Sequence, residues 1–87
     1  MLTYEDCLAL VELTPEQVAV IAARQHVPEM VALEIGSHLC RTSEGEYQIK
    51  QMILDAIEAA RAQHRTADAA RLRLVLRQFV ESHPRAH

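Results

Sequence analysis

Aromatic side chains are nearly missing from this sequence: Tyr4, Tyr47 and Phe79 are the full supply, and there is no tryptophan. A core without large rings must be filled by Leu, Val, Ile and Ala, which favours close helix packing over a wide enclosed cavity. Glycine occurs only at Gly36 and Gly45, and no run alternates β-branched with polar residues. An all-β fold is therefore excluded, and an all-α fold is expected. Cys7 and Cys40 have neither CxxC nor zinc-finger spacing, so they read as two small buried hydrophobes. No apolar run approaches the roughly 18 to 20 residues of a membrane span, and no basic segment precedes an apolar one at the N-terminus. Cytoplasmic location without membrane contact is the resulting expectation.

Chemistry-bearing motifs are missing as well. There is no glycine-rich phosphate loop, no G-x-S-x-G and no H-E-x-x-H. The reading leans against an enzyme and expects no cofactor.

What the sequence does hold is hydrophobic mass and uneven charge. Hydrophobic residues make up 49% of 87 residues, enough for a single helical domain, 1–87, near the lower size limit for folding without disulfides or metal. Residues 1–60 carry ten acids against Arg24, Arg41 and Lys50, a balance of −7. Residues 61–87 carry six arginines against Asp68 and Glu81, a balance of +4. An acidic front and a basic tail suit packing within the chain, head-to-tail pairing of copies, or an acidic partner on the last helix.

Five helices are predicted, forming a compact bundle of four to five helices with the first one short, at 4–12. Thr3-x-x-Asp6 caps it. Thr14-Pro15-Glu16-Gln17 is a capping box with proline at the first helical position, so the second helix spans about 15–26. It contains Val18-Ala19-Val20-Ile21-Ala22-Ala23, apolar around the whole axis, and such a helix is normally buried on every side. Pro28 ends it and starts a third helix, about 28–41. Gly36 in mid-helix suggests a close approach of another backbone. Thr42–Glu46 reads as a loop in which Ser43-x-x-Glu46 caps a fourth helix of about 44–64. The stripe Ile49, Ile53, Ala56, Ile57 and Ala60 gives that helix its inward face, with His64 on the same stripe. The fifth helix, about 67–82, turns Leu72, Val75, Leu76, Phe79 and Val80 inward and Arg73, Arg77 and Glu81 outward. Leu74 is out of phase there and reads as an exposed contact residue. Pro84 stops the helix, and 84–87 is expected to be a frayed tail.

Three functional readings follow. The first is a non-enzymatic protein-interaction module, homo-oligomeric or bound to another protein, using Arg71, Arg73, Leu74 and Arg77. Its motive is the apolar second helix, which four other elements do not obviously enclose. The second is a metal-binding helical protein with Glu34 and His38, one turn apart, joined by His26 or His64. Two ligands on one helix are half of a closed site at best. The third is a nucleic-acid binder, through a helix-turn-helix or the arginines of the fifth helix. The candidate recognition helix offers Glu29, Glu34 and His38 where phosphates require cations, so nucleic acid is disfavoured.

The stretch His26-Val27-Pro28-Glu29-Met30-Val31-Ala32-Leu33-Glu34-Ile35-Gly36, with LTYEDCLAL ahead of it, resembles a family of small uncharacterised bacterial helical proteins. The resemblance rests on H-x-P-E and A-x-E-x-G and implies an all-helical fold without an assigned activity.

Overall fold

The computed structural model describes residues 3–9 and 11–86. Among these residues five helices follow one another: α1 (Tyr4–Ala9), α2 (Pro15–Gln25), α3 (Glu29–Leu39), α4 (Ser43–Ala62) and α5 (Thr66–Ser82), with a 3-10 turn at Pro84–Ala86. Strands do not occur among the described residues, and none of the helices there is long and apolar enough to cross a membrane. The fold is the expected all-α bundle.

Local chemistry accounts for most helix starts. Thr3 and Asp6 exchange backbone-to-side-chain hydrogen bonds of 3.2 Å each at the head of α1. At α2 the Gln17 amide donates to Thr14 Oγ1 (3.2 Å) and the Thr14 amide donates to Gln17 Oε1 (2.9 Å), completing the capping box. Leu13 and Val18, on either side of that cap, are both buried. The start of α4 differs from expectation. Thr42, one residue earlier than Ser43, is the cap and accepts from the Gly45 amide at 2.9 Å. Glu46 is thereby freed from capping and turns into the protein. Gly45 belongs to the first helical turn, where a Cβ would overlap the Leu39 backbone. Only glycine lets α4 begin this close to the end of α3. At Gly36 the close neighbours are side chains, Leu13 and Ile21, and not the backbone that the sequence suggested.

The helix stops have a common device. His26 (φ 57°) and His64 (φ 58°) both adopt left-handed backbone. In each case the next residue's amide returns to a carbonyl five residues back: Val27 to Ala22 (3.1 Å) and Arg65 to Ala60 (2.8 Å). These bonds satisfy carbonyls that a helix end leaves open. His64 is therefore an exposed turn residue, not part of the α4 stripe, because α4 has already ended at Ala62.

The core joins Leu13 with Val18, Val20 and Ile21 of α2, Ala32 and Leu33 of α3, Ile49, Ile53, Ile57 and Ala60 of α4, and Ala69, Leu72, Val75 and Phe79 of α5. Burying one such aliphatic side chain contributes about 2 kcal/mol. The hub is α4, which packs against α5, α2, α3 and the C-terminal turn, and not α2 as the apolar run had suggested. Nor is that run enclosed on all sides. Val18, Val20 and Ile21 are buried, while Ala19 and Ala23 face outward. The molecule measures 41 × 26 × 18 Å, so its short dimension holds two helix layers of roughly 10 Å each. A helix in a two-layer slab keeps one wet side, and α2 places alanines there, where a single methyl costs little.

The tail is not frayed. Residues 84–86 form the 3-10 turn, and Arg85 reaches back to α4 and to the end of α3; His87 lies outside the described residues.

Candidate functional site

Chemistry-bearing side chains come together in several places, two of them beside α3. One is the closure formed by the C-terminal turn. Glu46 is only 3% exposed, and its Oε2 accepts from Arg85 Nη2 at 2.9 Å. The same nitrogen donates to the Cys40 carbonyl at 3.3 Å, so one guanidinium caps α3 and neutralises a buried carboxylate. Glu46 Oε1 is buried without a hydrogen-bond partner among the described residues. His83, also buried, stacks on Phe79 with ring centroids 4.3 Å apart. Its Nδ1 lies 3.1 Å from the Phe79 carbonyl. A carbonyl only accepts, so Nδ1 carries a hydrogen and Nε2 is left to face Cys40 Sγ (3.8 Å) and Glu12 Oε2 (3.9 Å).

A thiol against an imidazole nitrogen is the first requirement of a cysteine nucleophile. The electrostatics here oppose that use. Burial, then the carboxylates of Glu46 and Glu12, push the Cys40 thiol up to about 11, against a smaller lowering by Arg85. At neutral pH the sulfur keeps its proton and is a weak nucleophile. The arrangement holds α3, α4 and α5 together at one end of the bundle. Sequence reasoning missed it entirely. The spacing Ser43-x-x-Glu46 points to a cap, and nothing in the spacing of residues 12, 40, 46, 83 and 85 marks them as neighbours. Both cysteines are free thiols and half-buried, so neither is the fully buried hydrophobe expected.

The second place is a groove of about 410 Å³ between α1 and α3. Cys7, Val11, Met30 and Leu33 supply its apolar wall. Glu34, Ser37, His38 and Arg41 line its polar side, so the candidate ligands Glu34 and His38 share one opening. Glu34, His38 and Arg41 are exposed. His26 and His64 are at the ends of α2 and α4, occupied with stopping those helices, and neither lines this groove. Among the described residues, no group of three or more His, Cys, Asp or Glu side chains is arranged to hold a metal ion.

On α5, the expected contact residues are all at the surface. Leu74 is 61% exposed, the most exposed large hydrophobe among the described residues. Ala67, Ala70 and Leu74 are exposed at helical spacing and form one apolar stripe, flanked by Arg71, Arg73 and Arg77. Arg77 meets Glu81 at 3.5 Å; Arg71 and Arg73 have no acidic partner among the described residues.

In comparison with known proteins, the chain matches no family model, no curated protein and no solved structure.

Proposed function

We propose that this chain is a non-enzymatic protein-interaction module that associates, with a second copy in the first instance, through the outer face of α5. The observation that carries this reading is Leu74. A leucine 61% exposed in the middle of a helix gives nothing to the fold of its own chain, and here it continues an apolar stripe framed by arginines. Interfaces favour such a pattern: an apolar anchor for burial and arginines at its margin for orientation. The apolar run of α2 does not add to this reading, since the residues it leaves exposed, Ala19 and Ala23, are alanines.

The same arginines would suit nucleic-acid phosphates, but a leucine at their centre has no use against a phosphate backbone. The strip that a helix-turn-helix would present from α3 carries Glu34 and His38, which argues the same way. The resemblance to small bacterial helical proteins adds to the fold and leaves the activity open.

Sedimentation of the full chain from about 1 to 100 µM tests the reading. The expected result is a concentration-dependent dimer that Leu74→Asp returns to monomer without changing the circular dichroism spectrum. A wild-type chain that stays monomeric throughout that range would overturn self-association. Salt-sensitive binding to nucleic acid, lost in Arg71→Ala/Arg73→Ala, would replace the reading with the phosphate one.

A further inference from the structure

We propose that the seat for Leu74 is the α1/α3 groove of the second copy, the two copies exchanging this contact reciprocally about a two-fold axis. The inference rests on the interaction reading above and names the surface that receives α5. Leu74 does not reach its own groove, because α5 packs on α4 and α2 whereas the groove lies across α1 and α3. A cavity of about 410 Å³ with Cys7, Val11, Met30 and Leu33 along it takes one leucine side chain and part of the helix that carries it. Met30, 38% exposed, gains the cover it lacks in a single copy.

Charge supplies the match between the surfaces. The arriving helix brings Arg71 and Arg73, which have no acidic partner among the described residues. The groove offers Glu34 along its edge, exposed and without a cationic partner among the described residues. Glu12, beside Val11, meets only His83 there. The groove's own cation is Arg41, and α5 carries Glu81 two turns beyond Leu74. Docking with Arg71 beside Glu34 gives the contact a direction and turns an already neutralised pair, Arg77 with Glu81, toward Arg41. Each copy owns one knob and one seat. A two-fold pair uses both at once and closes the assembly, whereas a one-way contact continues into open chains, and the concentration series separates a dimer that saturates from growth that does not.

Cys7 in the groove makes the geometry testable. In the full chain carrying Cys40→Ser, Leu74→Cys places a thiol where the knob stands. Mild oxidation is expected to give a disulfide-linked dimer on a non-reducing gel, lost when Cys7→Ser is added. A dimer that persists without Cys7 would join the two introduced thiols to each other and overturn the groove assignment, as would the absence of any linked dimer. Sedimentation gives a second measurement free of cysteine chemistry. Glu34→Arg, at an exposed position, is expected to weaken association about tenfold, roughly the value of one close charge pair. If Leu74→Asp dissociates the dimer while Glu34→Arg leaves it unchanged and the disulfide fails, the α5 face stands and its seat lies elsewhere. If Leu74→Asp also leaves the dimer unchanged, the interaction reading falls with the groove.

Discussion

Both ends of the chain return to α3, and they hold it by opposite means. The C-terminal turn uses single polar atoms: one guanidinium nitrogen shared by Glu46 and the Cys40 carbonyl, and a buried imidazole bonded to Phe79. The N-terminal helix α1 lays Tyr4, Cys7 and Leu8 against the core as partly buried side chains. The buried Tyr4 hydroxyl on that helix has no hydrogen-bond partner among the described residues. Burial, followed by the nearby Glu29 carboxylate, raises that phenol above its ordinary range, although no hydrogen bond joins the two in the geometry. A polar closure is exacting, because removing one partner strands the other in the interior. An apolar contact degrades gradually and leaves an open margin, and the groove lies on that side.

The sharpest way to break the exacting end is Gly45→Ala. Its Cβ would meet Leu39 backbone, which no rotamer change can relieve, so α3 and α4 must separate. Thermal or urea unfolding should show a loss of about 3 kcal/mol, the upper part of the overpacking range, even though alanine is the better helix former. A neutral result would mean that the corner between α3 and α4 is not rigid.

Arg85→Ala comes next. A loss of about 2 kcal/mol is expected, because the buried Glu46 carboxylate loses the one partner it has among the described residues. Half-exposure of Arg85 keeps the figure below that of a fully buried pair. In the Glu46→Gln background the same substitution should cost clearly less, and equal costs would show that the pair is not coupled. At the tolerant end, Tyr4→Phe should be neutral or stabilising by about 0.5 kcal/mol, since it removes an unbonded buried hydroxyl. A clear loss of stability would reveal a bond from Tyr4 to Glu29.

The smallest effect concerns Cys40. With its thiol pushed up to about 11, alkylation in the Cys7→Ser protein should be slow at pH 8 and still rising above pH 10. The folded chain binds this proton more tightly than the unfolded one, whose thiol titrates near 8.5. Stability therefore falls as pH rises from about 8.5 towards 11, and the contribution is complete below that window. Fast alkylation at pH 8 would mean that the closure opens in solution.

Much of this protein could be read from its residues. Thr14 and Gln17, Thr3 and Asp6, the isoleucine stripe of α4 and the outward Leu74 all act within one or two helical turns, where spacing dictates geometry. The α4 cap moved from Ser43 to Thr42 because two adjacent hydroxyl residues both satisfy the local rule, and the packing of Gly45 on Leu39 chose between them. The left-handed stops at His26 and His64 carry no glycine to announce them. Glu46 with Arg85 and Cys40 with His83 are about forty residues apart in the chain, and no periodicity relates them.

The sequence by itself determined that the chain is helical, where its helices begin to within about a residue, and which side of α4 and α5 is apolar. Those properties arise from hydrogen bonds and rotations spanning three or four residues. Only the tertiary structure decided that α4 is the hub, that α2 keeps a wet alanine edge, that the tail is tied down, and that a groove opens beside α1. Each of these depends on how many neighbours two layers of helices can supply, which is a property of packing in three dimensions.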